Sequence, residues 1–204
     1  MEEKYLEDLK DIKEMMHKSS RFISLSGIAG IAAGIVALVG AIIAHQWVFS
    51  DLNLKGHQQL IIPGDVTTNL FLISIGTLIL AIIVTIFFTT RHSHQKQEKI
   101  WDHQTRRLLI NLLVPLATGG VMCLLLIFKS FVSMVIPMTL IFYGLALINA
   151  SKFTLSEIRS LGMVEIILGL TAFQFVDIAL ICWALGFGFM HIVYGIFMHL
   201  KYQS

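Results

Sequence analysis

Few side chains in this sequence of 204 residues could carry chemistry, and those that could lie inside apolar runs: Glu165, Gln174, Asp177 and His191. Ionisable groups at membrane depth are costly, and they mark proton relays, ion paths and ligand sites by default. Thr171, Gln174 and Asp177 add a polar stripe to the same run, so that helix is expected to face a bundle interior. If the chain turns back near residue 184, Asp177 and His191 stand at similar depth, about 10 Å below the outer surface at ~1.5 Å per residue. A carboxylate beside an imidazole there shares a proton or holds both charges, or else locks two spans together by a structural hydrogen bond. Glu165, about one turn inside its run, is expected at the cytoplasmic interface, within reach of Lys152, Arg159 or Lys201.

Other reactive residue types form no constellation. Cys123 and Cys182 are the two cysteines and both fall in apolar runs, where a thiol behaves as a small hydrophobe. His92, His94, His103 and Asp102 are close in sequence, but residues two apart do not share a helix face and no second close-spaced ligand pair completes a metal motif. His191 and His199 share a face with Gly195, and haem ligation across the bundle would need a further histidine, for which only His45 stands at a span end. The expected site set is Asp177, His191, Glu165 and Gln174, with no catalytic group, no metal and no cofactor.

The elements that must position these groups follow from composition. The chain is 56% hydrophobic and 14% charged, against about 25% charge in ordinary soluble domains. Its mean hydropathy is +0.78. Apolar runs predict spans over about 22–44, 69–90, 108–128, 131–150, 161–183 and 185–200, most of them near the ~20 residues that cross a bilayer. Backbone groups must be paired internally in lipid, and the runs lack the alternation of barrel strands, so helices are expected. The fold class is all-α, a polytopic transmembrane bundle of about six helices in three hairpins. Lys129-Ser130 and the glycines Gly186 and Gly188 are read as the turns of the second and third hairpins.

Lys and Arg set the orientation. In a six-span reading all of the 15 Lys and Arg except Lys55 and Lys129 fall on one side, so both termini are expected in the cytoplasm. About twenty polar residues precede the first span, unlike the short basic start of a secretory signal. Residues 1–21 place Tyr5, Leu9, Ile12 and Met16 on one face and read as an amphipathic helix: a solvated stub leading into the first span, a surface-bound helix, or a docking element for a cytoplasmic protein. The loop from Asp51 to Thr68 carries turn signals at Lys55-Gly56 and Pro63-Gly64-Asp65. Residues 201–204 form a short cytoplasmic end.

Within the spans, Gly30 and Gly34 match the GxxxG spacing of close helix contact, for packing within the chain or for a homo-oligomer. Pro115 and Pro137 each remove a hydrogen bond, to the carbonyls of Asn111 and Ser133. Ile141-Phe142-Tyr143-Gly144 resembles Ile192-Val193-Tyr194-Gly195, and Ile73-Ser74-Ile75-Gly76 is a looser match, the trace of a repeat.

The stretch from Phe142-Tyr143-Gly144 through Asn149-Ala150-Ser151-Lys152 to Glu165, with the acidic tail leading into a Gly/Ala-rich first span, resembles small bacterial inner-membrane proteins with about six transmembrane helices. That resemblance implies the bacterial cytoplasmic membrane and no particular activity. Three function classes follow, in the order the residues favour them. The first is a non-catalytic sensor, scaffold or regulator acting through its tail and loops. The second is a small transporter or channel with a polar site around Asp177 and His191. The third is an intramembrane metal- or haem-dependent enzyme. An enzyme is not expected, and the net charge of +2 gives no reason to expect nucleic acid.

Overall fold

The computed structural model describes residues 26–49, 64–95 and 103–202. The expected N-terminal amphipathic helix, the Asp51 to Pro63 loop and the Asp102 part of the histidine loop lie outside the described residues. Among those described, the chain is all α with no strand. The helices are α1 (Gly27–Ala44), α2 (Gly64–Gln95), α3 (His103–Phe128), α4 (Val135–Ala150), α5 (Ser156–Gln174), a short α6 (Ala179–Trp183) and α7 (His191–Tyr202). A π-helical turn, Ala184–Met190, joins α6 to α7 into one rod, for the backbone stays helical at Trp183 and His191. Five segments are long and apolar enough to cross a membrane: Gly27–Trp47, Thr68–His94, His103–Phe128, Val132–Phe153 and Val176–Lys201. By length and composition this is a multi-pass membrane protein.

Each boundary has a local cause. α3 ends in a Schellman closure, with Phe131 N–H donating to the Leu126 carbonyl (2.8 Å) and Ser130 N–H to that of Ile127 (2.9 Å). Ser130 takes the left-handed conformation, φ 65°, that this closure requires. Pro137 falls in the first turn of α4, after a 3₁₀ turn over Val132–Met134, where a missing N–H costs little; it is not a mid-span kink. Pro115 is inside α3, and the carbonyl it deprives, that of Asn111, accepts a bond from Asn149 Nδ2 of α4 at 2.9 Å.

The structure moves the last turn. The fifth helix stops at Gln174, and the chain turns through Phe175 and a 3₁₀ turn over Val176–Ile178, not near residue 184. Gly186 and Gly188, read as a turn from their composition, lie inside the last rod, in its π turn. Their missing side chains serve contact instead. A Cβ on Gly186 would collide with the Glu165 carboxyl, and one on Gly188 with the Leu38 side chain.

The bundle is a row of neighbours: α2 packs on α1, α1 on α7 and the π turn, the rod on α5, α5 on α4, and α4 on α3. Gly30 and Gly34 face α7 within the same chain. A Cβ on Gly34 would lie 2.7 Å from the Gly188 carbonyl oxygen, and one on Gly30 3.3 Å from the Gly195 Cα. α2 presents most of its apolar surface outward, as Leu72, Leu78, Ile79, Ile83 and Phe87 show, which suits lipid contact. Two buried clusters form the core. One gathers Leu147, Leu155, Ile158, Leu161 and Met198; the other gathers Leu140, Ala172, Ala179 and Cys182.

Candidate functional site

Glu165 stands in the middle of α5, with Gly162 and Gly169 buried on the turns before and after it. Gly162 and Gly169 let α4 approach that face closely, and Gly186 leaves room for the carboxyl against the rod. The result is a carboxyl group with 0% exposure whose two oxygens have no hydrogen-bond partner among the described residues. Buried polar atoms are almost always paired, and an orphaned one costs roughly 1–3 kcal/mol, more if it is charged. Glu165 is therefore buried, not interfacial, and it is the group in this fold whose cost asks for a function.

The nearest titratable neighbour is His191, whose Nδ1 lies 3.5 Å from Glu165 Oε1. The π turn sets this geometry. It brings the Gly186 carbonyl within 2.9 Å of the same Nδ1, five residues back along the chain. A carbonyl only accepts, so Nδ1 carries the hydrogen and donates it to Gly186. On the other side of the ring, Tyr143 from α4 stands with its hydroxyl 2.7 Å from His191 Nε2. In the neutral tautomer this fixes, the hydroxyl donates to Nε2; in a protonated ring Nε2–H donates to the hydroxyl. Trp183, Phe187 and His191 recur every four residues, with the Phe187 and His191 rings stacked at 5.9 Å and Tyr143 packed on Phe187 at 4.8 Å. Aromatic packing thus holds the imidazole in plane while leaving its two nitrogens to polar partners.

Of the expected site residues, the structure brings Glu165 and His191 together. It places Gln174 and Asp177 elsewhere. Gln174 is the last residue of α5 and is exposed; Asp177 is exposed in the turn that follows. α6 and the π turn separate Asp177 from His191, roughly 20 Å along a helical rod, so the two do not touch. A turn at the glycines would have put the two at equal depth; a turn at Phe175–Ile178 does not. Tyr143 is the member missed from sequence. Its signal was present in the Tyr-Gly shared by Ile141-Phe142-Tyr143-Gly144 and Ile192-Val193-Tyr194-Gly195, but that pattern spoke of packing and not of chemistry.

The trio is enclosed. On α4, Tyr143 lies between Leu140 of one buried cluster and Leu147 of the other; on α5, Glu165 lies between Ala172 and Ile158; on the rod, His191 lies between Cys182 and Met198. His191 keeps 11% side-chain exposure and Glu165 none. No group of three or more His, Cys, Asp or Glu side chains able to hold a metal occurs among the described residues. The arrangement can bind, hold and pass a proton: a carboxyl, an imidazole and a phenol in series, within one reorientation of each other. Compared with known proteins, the chain has no match to a family model, to a curated protein or to a solved structure.

Proposed function

We propose that the protein is a small multi-pass transporter that carries protons across the membrane, with Glu165 as the carrying group. The observation that supports this is a fully buried carboxyl with both oxygens unpartnered among the described residues, set 3.5 Å from an imidazole that is itself bonded to a phenol. A proton is the ligand that such a closed site accommodates without a cavity. When the ring is protonated and Glu165 is a carboxylate, a small rotation of His191 carries Nδ1–H from the Gly186 carbonyl towards Glu165 Oε1; transfer of that proton leaves a carboxylic acid and a neutral imidazole whose Nε2–H still donates to the Tyr143 hydroxyl.

The topology belongs to the same reading. α5, with its 19 residues, spans about 28 Å, close to the thickness of a hydrocarbon core. Its Glu157, Arg159 and Glu165 make it less apolar than the other five, which fits a helix surrounded by protein. Six crossings then form three hairpins, put both termini on one side, and the distribution of Lys and Arg puts that side in the cytoplasm. Lys201 and Glu157 form an ion pair at that face, and Gln174 and Asp177 stand at the outer end of the path. The sensor or scaffold that the sequence favoured acts through its loops and through a tail outside the described residues. What the described residues support is transport.

The test is collapse of an imposed pH gradient in proteoliposomes, with potassium and valinomycin clamping the membrane potential. Wild-type protein should dissipate the gradient well above empty vesicles, and Glu165→Gln, nearly the same in shape, should return the rate to that background. Equal rates in the two proteins would refute the reading.

A further inference from the structure

Two helix pairs in this molecule are built alike. In the pair α4–α5, a Cβ on Gly144 would lie 2.6 Å from the Gly162 carbonyl oxygen and 3.0 Å from the Ile166 nitrogen; in the pair α7–α1, a Cβ on Gly195 would lie 2.7 Å from the Gly27 carbonyl oxygen and 2.7 Å from the Ile31 nitrogen. The reciprocal contacts also correspond. Gly162 faces the Gly144 carbonyl and Ile148, while Gly27 faces the Gly195 carbonyl and His199. Gly169 faces Ile141 as Gly34 faces Ile192.

One constant shift along the chain carries Gly27, Ile31, Gly34 and Ala37 onto Gly162, Ile166, Gly169 and Ala172. A second carries Ile141, Tyr143, Gly144 and Leu147 onto Ile192, Tyr194, Gly195 and Met198. The four-letter likeness visible in sequence is thus one side of a repeated interface, with its own partner helix in each copy. Backbone-to-backbone glycine contact of this kind makes each pair a tightly closed unit.

The two units meet where α5 faces the rod, and the polar trio sits on that boundary. It also sits where the copies differ. The shift puts Gly30 in the place of Glu165, and Leu140 in the place of His191. Above and below the trio, the boundary is sealed by the two apolar clusters, the one with Cys182 on the side of the Asp177 turn and the one with Met198 on the side of Lys201 and Glu157. Sites at the interface of repeated units, near mid-membrane, are where transporters expose a bound group alternately to the two sides.

We infer that the α4–α5 and α7–α1 pairs move as rigid units against each other, and that the Cys182 and Met198 clusters are the outer and inner gates of Glu165. Opening one cluster while the other stays closed gives Glu165 access to one side at a time. This rests on the proton-carrying reading; the titratable group that faces Glu165 across the boundary is His191, and Tyr143, from Glu165's own unit, bonds that same ring across it.

Cys182 supplies a native reporter, buried in the outer gate, and Cys123 on α3 serves as a control away from the boundary. Wild-type proteoliposomes are treated from either side with a charged, membrane-impermeant methanethiosulfonate under pH gradients of both signs. Modification at each cysteine is then read by mass spectrometry. Cys182 should react from the outer side only, at a rate that changes about tenfold or more when the gradient is reversed, while Cys123 shows no such dependence. Met198→Cys should react from the inner side with the opposite dependence. Gradient-independent reaction of Cys182, or none, in vesicles that still show Glu165-dependent proton flux would overturn the gates and leave the proton reading standing. Absence of that flux would overturn the reading beneath them.

Discussion

A carboxyl that makes no hydrogen bond is a cost the fold could remove with one substitution. Glu165 is fully buried and unpartnered among the described residues, so replacing it with a hydrophobe of similar volume should stabilise the bundle. Glu165→Met is expected to gain about 1–3 kcal/mol, the cost of an orphaned buried polar group, read as a higher midpoint of denaturation in detergent, and to lose proton flux. A loss of stability would mean that the carboxyl holds the helices together and is architecture. At this scale the sequence was partly legible. Glu165 and His191 stood out because ionisable residues are rare in apolar runs. Their partnership did not, since glycines in a turn and glycines in a tight helix contact are the same letters. Only the packing of Gly186 on Glu165 and of Gly188 on Leu38 separates the two readings.

Elements in this protein are shaped by how freed backbone groups find new partners. Pro115 leaves the Asn111 carbonyl without its helical donor, and Asn149 supplies one from α4. Asn149→Ala should therefore cost about 1 kcal/mol in the wild-type background and clearly less beside Pro115→Ala, where the helix can close its own bond. A double-mutant cycle of denaturation midpoints measures this, and equal costs in both backgrounds would show that Asn149 does not serve that carbonyl. The π turn of the last rod follows the same logic, with the Gly186 carbonyl taken up by His191; such insertions are frequent at functional sites. The proline and its orphaned carbonyl were readable from sequence, because they follow from local covalent structure. The π turn was not. It depends on Glu165 and Leu38 from other helices, and no local propensity encodes them.

For the whole molecule, apolar length and composition identified five helices able to cross a membrane, and the boundary between the last two of the six expected spans shifted from the glycines to Phe175–Ile178. The repeat was visible as four letters and became an interface once its partner helices were seen, because Gly27 and Gly162 lie far from Gly195 and Gly144 in composition windows but touch them in space. The proposed orientation leaves Lys55 and Lys129 outside, so an impermeant amine reagent applied to intact cells should modify Lys129 and spare Lys152 and Lys201; the reverse pattern would invert the topology. Whether Glu165 gains and loses a proton inside the membrane is read by infrared difference spectroscopy across a pH titration of the reconstituted protein. A carboxylic C=O band should appear and disappear with pH in the wild type and be absent in Glu165→Gln. A wild-type spectrum with no such band at any pH, or one that survives in Glu165→Gln, would contradict proton exchange at Glu165.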